Sequence, residues 1–212
     1  MKQDIRIDFS PEAVLIGNGD FPTHSLPLQL LNASPFTVCC DGAANHYLDS
    51  GRIPDRIVGD GDSLCEEYKR KYASILHLNP DQETNDQTKA IQYLMRKGIR
   101  SVAILGATGK REDHTLGNIS LLIEYHRLGI EARIYTDYGV FIPASGTNRF
   151  QAQPGSQVSI FCFGTQGMRS EGLRYPLRDF TNWWQGTLNE VASSPFTIEC
   201  EGDYLVFLKY PS

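Results

Sequence analysis

The sequence predicts an α/β fold, with an N-terminal doubly wound parallel-sheet domain over residues 1–138 followed by a small all-β sandwich domain over residues 139–212. In the first part of the chain, short apolar runs alternate with helical patterns, as in a parallel sheet that helices cover on both faces. After about Asp137 the helical period disappears. The remaining chain reads as short strands separated by Gly, Pro, Asn and Ser, which is typical of an all-β domain.

The predicted strands are short and near-continuously apolar in the first domain. They are Ala13–Ile16, Phe36–Cys40, Arg56–Val58, Ile75–Leu78, Ser101–Leu105 and Ala132–Tyr135. In the second domain we predict strands over Asn148–Gln151, Gln157–Phe163, Phe196–Cys200 and Tyr204–Leu208. Such continuous apolar runs indicate strands buried on both faces in the first domain.

Two intervening helices are well marked. For the first, Thr84 and Gln87 form a capping-box pattern and Gly98 is a stop signal, so we predict a helix from about Asn85 to Lys97. Its buried stripe is predicted to be Ile91, Leu94 and Met95. For the second, the stripe is Leu116, Ile119, Leu122, Ile123 and His126, with Asp113 or Thr115 as cap and Gly129 as terminator.

The composition is typical of a folded protein, and acidic residues outnumber basic ones. Hydrophobic residues make up 41% and charged residues 21% of the 212 residues, which excludes a disordered chain. The net charge of -5 argues against nucleic acid as the main partner. The charged first residues and the lack of a long apolar run argue against a signal peptide and a membrane span, so we expect a cytoplasmic protein. The five cysteines lack a Cys-x-x-Cys pair and are predicted to be reduced core residues.

Carboxylates follow the predicted strands at the points where the strands end. They are Asp41 after the second run, Asp60 and Asp62 after the third, Asp86 after the fourth and Asp113 after the fifth. Ligands of open parallel sheets collect at the carboxyl ends of the strands, so we expect these acids at one edge. Clustered carboxylates repel one another, and oxygen ligands without Cys or His favour Mg²⁺ completed by substrate phosphates. The sequence therefore predicts a magnesium phosphate site, although each acid taken alone also fits a helix cap or a turn.

A glycine-bearing loop runs from Gly106 to Asp113, between a predicted strand and a predicted helix. Small residues there let backbone N–H groups approach a phosphate at the helix N-terminus. The spacing is not that of a Walker A loop. Lys110 and Arg111 either neutralise phosphate oxygens or form a solvated basic turn.

Four other side chains have alternative roles that the sequence leaves open. Lys89, one turn after Asp86, is placed to contact a phosphate or to pair with that carboxylate. Trp183 and Trp184, together with Tyr175, either stack on a planar cationic ligand or pack in a core. No Ser or Cys nucleophile motif accompanies the scattered histidines, so hydrolysis by a catalytic triad is disfavoured.

Five blocks of the sequence resemble the thiamine pyrophosphokinase family. They are DGAAN at 41–45, PDRIVGDGDS at 54–63, TNDQTKA at 84–90, GATGKREDHTLGN at 106–118 and SEGLRYPL at 170–177. The resemblance implies an N-terminal α/β domain, a C-terminal β-sandwich and a homodimer whose active sites lie between subunits. It also implies a reaction in which a pyrophosphoryl group passes from ATP to the hydroxyl of thiamine, giving AMP and thiamine diphosphate.

The resemblance also implies residue roles. Catalytic roles fall on Asp60, Asp62, Asp86 and Asp113, and the ligands of Mg²⁺ on Asp60, Asp62 and Asp86. Nucleotide and phosphate contacts fall on Asp41, Lys89, Gly109, Lys110, Arg111, His114 and Asn118. Thiamine contacts are expected at Trp183, Trp184, Thr187, Leu188 and Asn189.

Three positions depart from the family pattern. Ala43 stands where the family has a second glycine, and Asn85 stands where it has Thr. Leu188 stands where the β-domain turn has Ser, and the lost hydroxyl costs about one hydrogen bond, on the order of 1 kcal/mol. We therefore expect an altered thiamine contact and retained activity.

Two other functions stay open at this point. The same pyrophosphotransferase chemistry can serve another acceptor, such as a hydroxymethyl pterin, because a magnesium site constrains the donor more than the acceptor. A nucleotide-binding regulatory protein without catalysis is the second alternative. The joint presence of the five acids argues against that alternative.

Overall fold

The computed structural model describes residues 3–6 and 9–210, which form two compact units. The α/β unit comprises Ser10–Leu121 and Gly129–Asp137. The described residues of the β unit fall within Met1–Phe9, Leu122–Leu128 and Tyr138–Ser212. Within this part of the chain, every helix is too short or too polar to cross a membrane.

The α/β unit is built on a parallel sheet. Its strands are β2 (Ala13–Ile16), β3 (Thr37–Cys40), β4 (Arg56–Gly59), β5 (Leu76–Leu78), β6 (Ser101–Leu105) and β7 (Glu131–Tyr135), in the order β7-β6-β2-β3-β4-β5. All neighbouring strands in this order are parallel. Val14, Val38 and Ile104 have no exposed surface, so the apolar runs of the sequence form the core of the sheet as predicted.

A helix follows each of the strands β2 to β6 along the chain. These helices are α1 (Ser25–Ala33), α2 (Ala43–Asp49), α3 (Glu66–Lys71), α4 (Asp86–Arg96) and α5 (Glu112–Arg127). The chain leaves β2 toward β3 through α1, but it leaves β6 toward β7 through α5. Because β2 and β6 are neighbours, these opposite departures create a crevice at their carboxyl ends, where open α/β sheets bind ligands.

The predicted capping box of α4 is wrong. The N-cap is Asn85, whose side-chain oxygen accepts the backbone N–H of Thr88 at 2.9 Å. The hydroxyl of Thr84 instead donates to Asp81. An Asn side chain is as good an N-cap acceptor as a Ser or Asp side chain, and it begins the helix one residue later than the Thr would. The predicted extent of the helix, by contrast, agrees with α4 to within a residue at each end.

The start of α5 also differs from the prediction. The helix begins at Glu112, so neither Asp113 nor Thr115 is its cap, and both lie in its first turns. Leu116, predicted to be buried, is 57% exposed. The buried residues of α5 are Leu122, Ile123 and Tyr125, so its second half carries the apolar contact.

The β unit is organised around one long strand. Its strands are β1 (Gln3–Arg6), β8 (Gly139–Ser145), β9 (Asn148–Gln151), β10 (Gln157–Glu171), β11 (Asn189–Glu190) and β12 (Phe196–Lys209). On one side, β12 pairs antiparallel with β10. On the other side, it pairs with β9 through 196–198 and with β8 through 203–209. The α/β class with a C-terminal β domain is confirmed.

Two details of the β unit differ from the sequence prediction. β1, which lies within the predicted first domain, pairs in parallel with β9. The predicted strands 196–200 and 204–208 are one continuous strand, β12. Its partner β10 extends past the predicted end at Phe163 through two register shifts before Arg169, and such bulges let a strand bend without ending.

The cysteines are free thiols, but they are not all core residues. Cys39 and Cys40 are buried in β3, and burial raises the pKa of both thiols. Cys162 and Cys200 are half-buried. Cys65 is exposed where it precedes α3, which corrects its prediction as a core residue.

Candidate active site

Three carboxylates meet at the carboxyl ends of β3 and β4. One oxygen from each of Asp41, Asp60 and Asp62 lies within 4.8 Å of the others. We call these three residues the acid cluster. Asp41 directly follows β3, and the other two follow β4, so neighbouring parallel strands deliver all three to one edge. A cluster of hard oxygen donors of this kind is able to hold Mg²⁺.

Asp41 is the buried member of the acid cluster. It has no exposed surface, and its Oδ2 accepts the backbone N–H of Ser63 at 2.8 Å. Its Oδ1 is buried and has no hydrogen-bond partner. Burial raises the pKa of Asp41, the Ser63 N–H opposes that rise, and Asp86, Asp60 and Asp62 add to it. A buried carboxylate oxygen without a partner is costly, so this position favours a bound cation or a proton.

Asp60 is held ionised by its neighbours. The backbone N–H of Asp62 donates to its Oδ1 at 3.3 Å, and the ammonium of Lys89 lies 3.2 Å from its Oδ2. These contacts, the Asp62 N–H first, lower the pKa of Asp60 to about 2. Asp62 is exposed, and its Oδ1 accepts the hydroxyl of Ser63 at 3.0 Å. The acid cluster thus has one buried member, one half-buried member and one exposed member.

Lys89 links Asp60 to Asp86. Its ammonium lies 3.2 Å from each carboxylate, and 3% of its side chain is exposed. Burial alone would lower the pKa of Lys89, but its hydrogen bonds to the two acids raise it. Burial raises the pKa of Asp86, and the contact with Lys89 opposes that rise. Of the two roles that the sequence left open for Lys89, the ion pair is the contact that is formed.

The acid cluster differs from the predicted set of metal ligands. The prediction named Asp60, Asp62 and Asp86, whereas the cluster contains Asp41 and leaves Asp86 paired with Lys89. The sequence signal for Asp41 was present, because it directly follows an apolar run as Asp60 does. Its complete burial was not readable from the sequence.

Two loops meet at the crevice between β2 and β6. The N–H of Gly19 donates to the carbonyl of Gly106 at 2.6 Å, and the N–H of Asp20 donates to that of Thr108 at 2.8 Å. A Cβ on Gly19 would lie 2.1 Å from the oxygen of Thr108, so only glycine allows this approach. The loop from Gly17 to Asp20 was not predicted, although a Gly-x-Gly pattern directly after the first apolar run of the α/β domain was its signal.

The glycine-bearing loop after β6 holds a strained lysine. Lys110 has a φ of 60°, a left-handed conformation that is uncommon for a residue with a side chain. Its ammonium lies 3.2 Å from the side-chain oxygen of Asn18, in the loop after β2. Gly109, at φ 86°, packs against Asp20, because a Cβ there would lie 2.1 Å from a carboxylate oxygen. The loop is therefore fixed by side-chain contacts as well as by backbone hydrogen bonds.

Arg111, Asp113 and His114 lie on the exposed first turn of α5 and just before it. Arg111 and Asp113 form an ion pair, with 67% and 62% of their side chains exposed. The pair lowers the pKa of Asp113, with the His114 N–H adding to the effect. Asp113 thus pairs with a cation and is not a member of the acid cluster. Arg111 is thus exposed and paired with an acid, and its role at a phosphate stays a prediction.

Asn118 connects α4, α5 and the loop after β6. Its Nδ2 donates to the carbonyl of Ala107 at 2.8 Å, and its Oδ1 accepts from the side chain of Asn85 at 3.0 Å. Its backbone carbonyl accepts from Gln87. Asn118 was predicted to contact nucleotide, but both ends of its side-chain amide already bond these segments. Through Asn85 it holds the start of α4, where Asp86 lies.

The two tryptophans of the β unit lie in a short 3₁₀ helix, Trp183–Gly186. The indole N–H of Trp183 donates to the carbonyl of Cys162 at 3.1 Å, and its ring packs on Phe161 and Phe163. Trp184 is 72% exposed. The two rings therefore have different surroundings, since one is packed on its neighbours and the other faces solvent.

The turn after the tryptophans contains the other residues predicted to contact thiamine. The hydroxyl of Thr187 donates to the carbonyl of Trp184 at 2.7 Å. Leu188 is 71% exposed and has a φ of 59°. Asn189 is buried, and its amide bonds the backbone of Tyr175 at both ends, at 3.1 and 2.7 Å. Asn189 therefore holds the turn, while Leu188 presents an apolar surface to solvent.

Both units match known protein families. Residues 28–134, about half of the chain, match the family described as "Thiamin pyrophosphokinase, catalytic domain". Residues 139–207 match "Thiamin pyrophosphokinase, substrate-binding domain". The boundary between the two matches lies in the segment from Tyr135 to Gly139, between β7 and β8.

Curated relatives and solved structures agree with these matches. Thiamine pyrophosphokinase 1 of Oryza sativa subsp. japonica is 32% identical over 56% of this chain and 53% of its own length. Thiamine pyrophosphokinase of Bacillus subtilis is 36% identical over 41% and 42%. The alignments thus span about half the length of these relatives.

The fold is similar to that of two solved thiamin pyrophosphokinases. The structure from Candida albicans has a TM-score of 0.80 at 19% identity, covering 99% of this chain and 93% of that one. The structure from Bacillus subtilis has a TM-score of 0.74 at 22% identity, with 94% and 99% coverage. With both family models matched in order along the chain, this protein belongs to the thiamine pyrophosphokinase family.

Proposed function

We propose that the protein transfers a pyrophosphoryl group from ATP to the hydroxyl of thiamine, giving thiamine diphosphate and AMP. In this reaction the hydroxyl oxygen forms a bond to the β-phosphorus, the bond from that phosphorus to the α,β-bridging oxygen breaks, and the hydroxyl proton is released. Family membership supports this reaction, and the single observation that carries it is the acid cluster with its unpartnered buried oxygen on Asp41.

The acid cluster fits a divalent cation. Its donors are carboxylate oxygens, and the buried Oδ1 of Asp41 lacks the partner that a cation would supply. We propose that Asp41, Asp60 and Asp62 hold Mg²⁺, with Asp86 beside them. Mg²⁺ bound there supplies positive charge that neutralises phosphate oxygens of the nucleotide.

Lys89 and Asp86 are proposed to prepare the site for the nucleotide. The ammonium of Lys89 lies between Asp60 and Asp86 and offsets their repulsion in the free protein. Because a lysine ammonium also binds phosphate as a point charge, we propose that Lys89 turns from a carboxylate to a phosphate when the nucleotide binds. Lys110, Arg111 and His114 supply further donors around the loop after β6, and we retain them as proposed phosphate contacts.

The β unit is proposed to hold thiamine. Thiazolium carries a fixed positive charge, and the exposed ring of Trp184 offers it a cation–π contact worth roughly 0.5–2 kcal/mol. Leu188 lies nearby in sequence with its side chain exposed, and it replaces a hydroxyl contact by an apolar one. The family description of residues 139–207 as a substrate-binding domain supports the proposal that the β unit binds thiamine.

Product analysis tests the reaction and its acceptor. The protein is incubated with ATP, Mg²⁺ and either thiamine or a hydroxymethyl pterin, and the products are identified by mass spectrometry. Thiamine diphosphate with equimolar AMP supports the proposal. Diphosphorylated pterin in its place would identify the other acceptor, and absence of AMP with both would support a regulatory protein.

Homodimeric assembly is proposed on the family resemblance, and a cytoplasmic location is proposed from the sequence prediction given above. Sedimentation equilibrium measures the first, with a mass twice that of the 23.7 kDa chain expected. Fractionation of cells with an antibody to the protein measures the second. A monomer at micromolar concentration would contradict active sites shared between subunits.

A further inference from the structure

Three consecutive carbonyls of the loop after β6 are held by hydrogen bonds. Those of Gly106 and Thr108 accept backbone N–H groups from the loop after β2, at 2.6 and 2.8 Å. The carbonyl between them, on Ala107, accepts the side-chain amide of Asn118 at 2.8 Å. The loop is therefore held from two sides, by the loop after β2 and by α5.

The side chain of Asn118 also reaches the start of α4. Its Oδ1 accepts the Nδ2 of Asn85 at 3.0 Å, and the Oδ1 of Asn85 accepts the backbone N–H of Thr88 at 2.9 Å. Three hydrogen bonds through two side-chain amides thus join the carbonyl of Ala107 to an N–H of α4. We call the side chains of Asn85 and Asn118 the amide bridge.

The two backbone ends fix the direction of both amides. A carbonyl only accepts, so Asn118 turns its Nδ2 to Ala107 and has its Oδ1 left for Asn85. A backbone N–H only donates, so Asn85 turns its Oδ1 to Thr88 and has its Nδ2 left for Asn118. A Thr at position 85, the residue of the family pattern, has one oxygen in place of these two polar atoms. The amide bridge therefore depends on a departure of this chain from that pattern.

The amide bridge ends directly before Asp86, the first residue of α4. The carboxylate of Asp86 lies 3.2 Å from the ammonium of Lys89, one turn further along the helix. A shift of the start of α4 against the loop after β6 would thus move both charges relative to that loop. Gln87 donates to the backbone carbonyl of Asn118 at 3.2 Å, so α4 and α5 stay joined when the bridge is broken.

We propose that Asn85 and Asn118 are positioning residues. Through the amide bridge they hold Asp86 and Lys89 in place relative to the loop after β6, so that the phosphates of a nucleotide contact both elements at once. The inference rests on the proposed function for the place of these phosphates. Asn118 then acts on the nucleotide indirectly, because the donor and the acceptor of its side chain are both used within the protein.

Replacing Asn85 by Ser separates the bridge from the helix cap. Ser is as good an N-cap as Asn, so the melting temperature of Asn85→Ser should equal that of wild type. The shorter hydroxyl that caps the helix does not also reach Asn118. Asn118→Ala removes the other half of the bridge. Asn32→Ala is the matched control, since it removes another exposed side-chain amide contact, the one that Asn32 makes with Arg52 at 2.9 Å.

Isothermal titration calorimetry with the α,β-methylene analogue of ATP and Mg²⁺ tests the bridge in the intact protein. We expect the Kd of the analogue to rise about fivefold in Asn85→Ser and at least as much in Asn118→Ala, with no change in Asn32→Ala. In the Asn118→Ala background, Asn85→Ser should have no further effect, because the bridge is already broken. The KM for thiamine should stay within about twofold of wild type in Asn85→Ser, whereas a general loosening of the protein would raise it too.

The outcomes separate this inference from the proposed reaction. If wild-type protein and the variants bind the analogue in this pattern but wild type forms no thiamine diphosphate, the bridge stands and the proposed reaction falls. If wild type forms thiamine diphosphate but Asn85→Ser binds the analogue like wild type, the positioning role is wrong. Losses that multiply in the double variant would also overturn it. Asn118→Asp, which loses the donor to Ala107 and keeps the size of the side chain, serves in the same comparison if Asn118→Ala does not fold.

Discussion

The ammonium of Lys89 lies 3.2 Å from a carboxylate oxygen of Asp60, and 3% of the lysine side chain is exposed. Asp86 shares the same ammonium at the same distance. One buried cation therefore serves two acids, while the unpartnered oxygen of Asp41 is left without a cation. Asp60 and Asp86 are therefore already paired with a cation, whereas Asp41 has the carboxylate oxygen that favours a metal ion.

Replacing Lys89 by Met should cost both stability and turnover. Asp60 and Asp86 would then repel each other without a cation between them. We expect the free energy of unfolding to fall by about 1–2 kcal/mol, a small loss because solvent reaches both acids and screens their repulsion. Urea unfolding in EDTA measures this loss. Mg²⁺ should restore stability to Lys89→Met more than it stabilises wild type, and an equal effect on both proteins would contradict the bridging role.

Asp41→Asn should make the protein more stable but nearly inactive. Burial raises the pKa of Asp41, so the ionised carboxylate at neutral pH costs free energy that a neutral amide avoids. In EDTA we expect the variant to gain about 1 kcal/mol in the free energy of unfolding. Mg²⁺ should stabilise wild type but not the variant. A variant that is less stable in EDTA and still stabilised by Mg²⁺ would show that Asp41 does not hold the ion.

The two tryptophans should respond differently to substitution. Trp184→Ala removes an exposed ring and is expected to raise the KM for thiamine about three- to tenfold without lowering the melting temperature. Trp183→Ala removes a ring packed on Phe161 and Phe163 and should cost about 2 kcal/mol of stability. Steady-state kinetics and thermal unfolding of both variants measure these effects. No change of KM in Trp184→Ala would mean that thiamine is held elsewhere.

Asp137 should stabilise the start of α1 in a pH-dependent way. Its Oδ1 accepts the backbone N–H groups of Thr23 at 2.7 Å and His24 at 2.9 Å. Burial alone would raise the pKa of Asp137, but the hydrogen bond from the Thr23 hydroxyl to Oδ2, together with these two N–H bonds, lowers it below its usual value. The stabilisation is therefore complete above about pH 4 and is lost as the pH falls through the lowered pKa.

Asp137→Ala should therefore cost about 1–2 kcal/mol at pH 7, and the difference from wild type should shrink below about pH 4. Urea unfolding from pH 7 to pH 2.5 measures the difference. A constant difference across this range would show that the variant acts through packing and not through the charge.

The parallel sheet could be predicted because its strands are apolar on both faces, so each run in the sequence corresponds to one strand. The acids at the ends of β3 and β4 followed from the same pattern. Helix starts were harder to predict, since Asn85 and Thr84 are both good caps and tertiary contacts decide between them. The pairing of β1 with β9 depends on contacts more than 140 residues apart, which no local pattern encodes.

The sequence predicted only in part which acids of the candidate site form the acid cluster and which pair with Lys89. The sequence brings Asp60, Asp62 and Asp86 to one edge, but it does not reveal that Asp86 pairs with Lys89 and that Asp41 is buried. Burial depends on how Gly59 packs, since a Cβ there would lie 2.5 Å from that of Asp41. The loop from Gly17 to Asp20 was missed because it contains a single acid, and its contacts with the loop after β6 lie about 90 residues away in sequence.

The fate of the terminal phosphate tests the central claim most directly. Wild-type protein is incubated with thiamine, Mg²⁺ and ATP labelled at the γ-phosphate, and the labelled products are separated. Pyrophosphoryl transfer moves the β- and γ-phosphates together, so we expect the label in thiamine diphosphate, with unlabelled AMP formed in equal amount. Label in free phosphate or in thiamine monophosphate, with ADP as the nucleotide product, would contradict the proposed reaction.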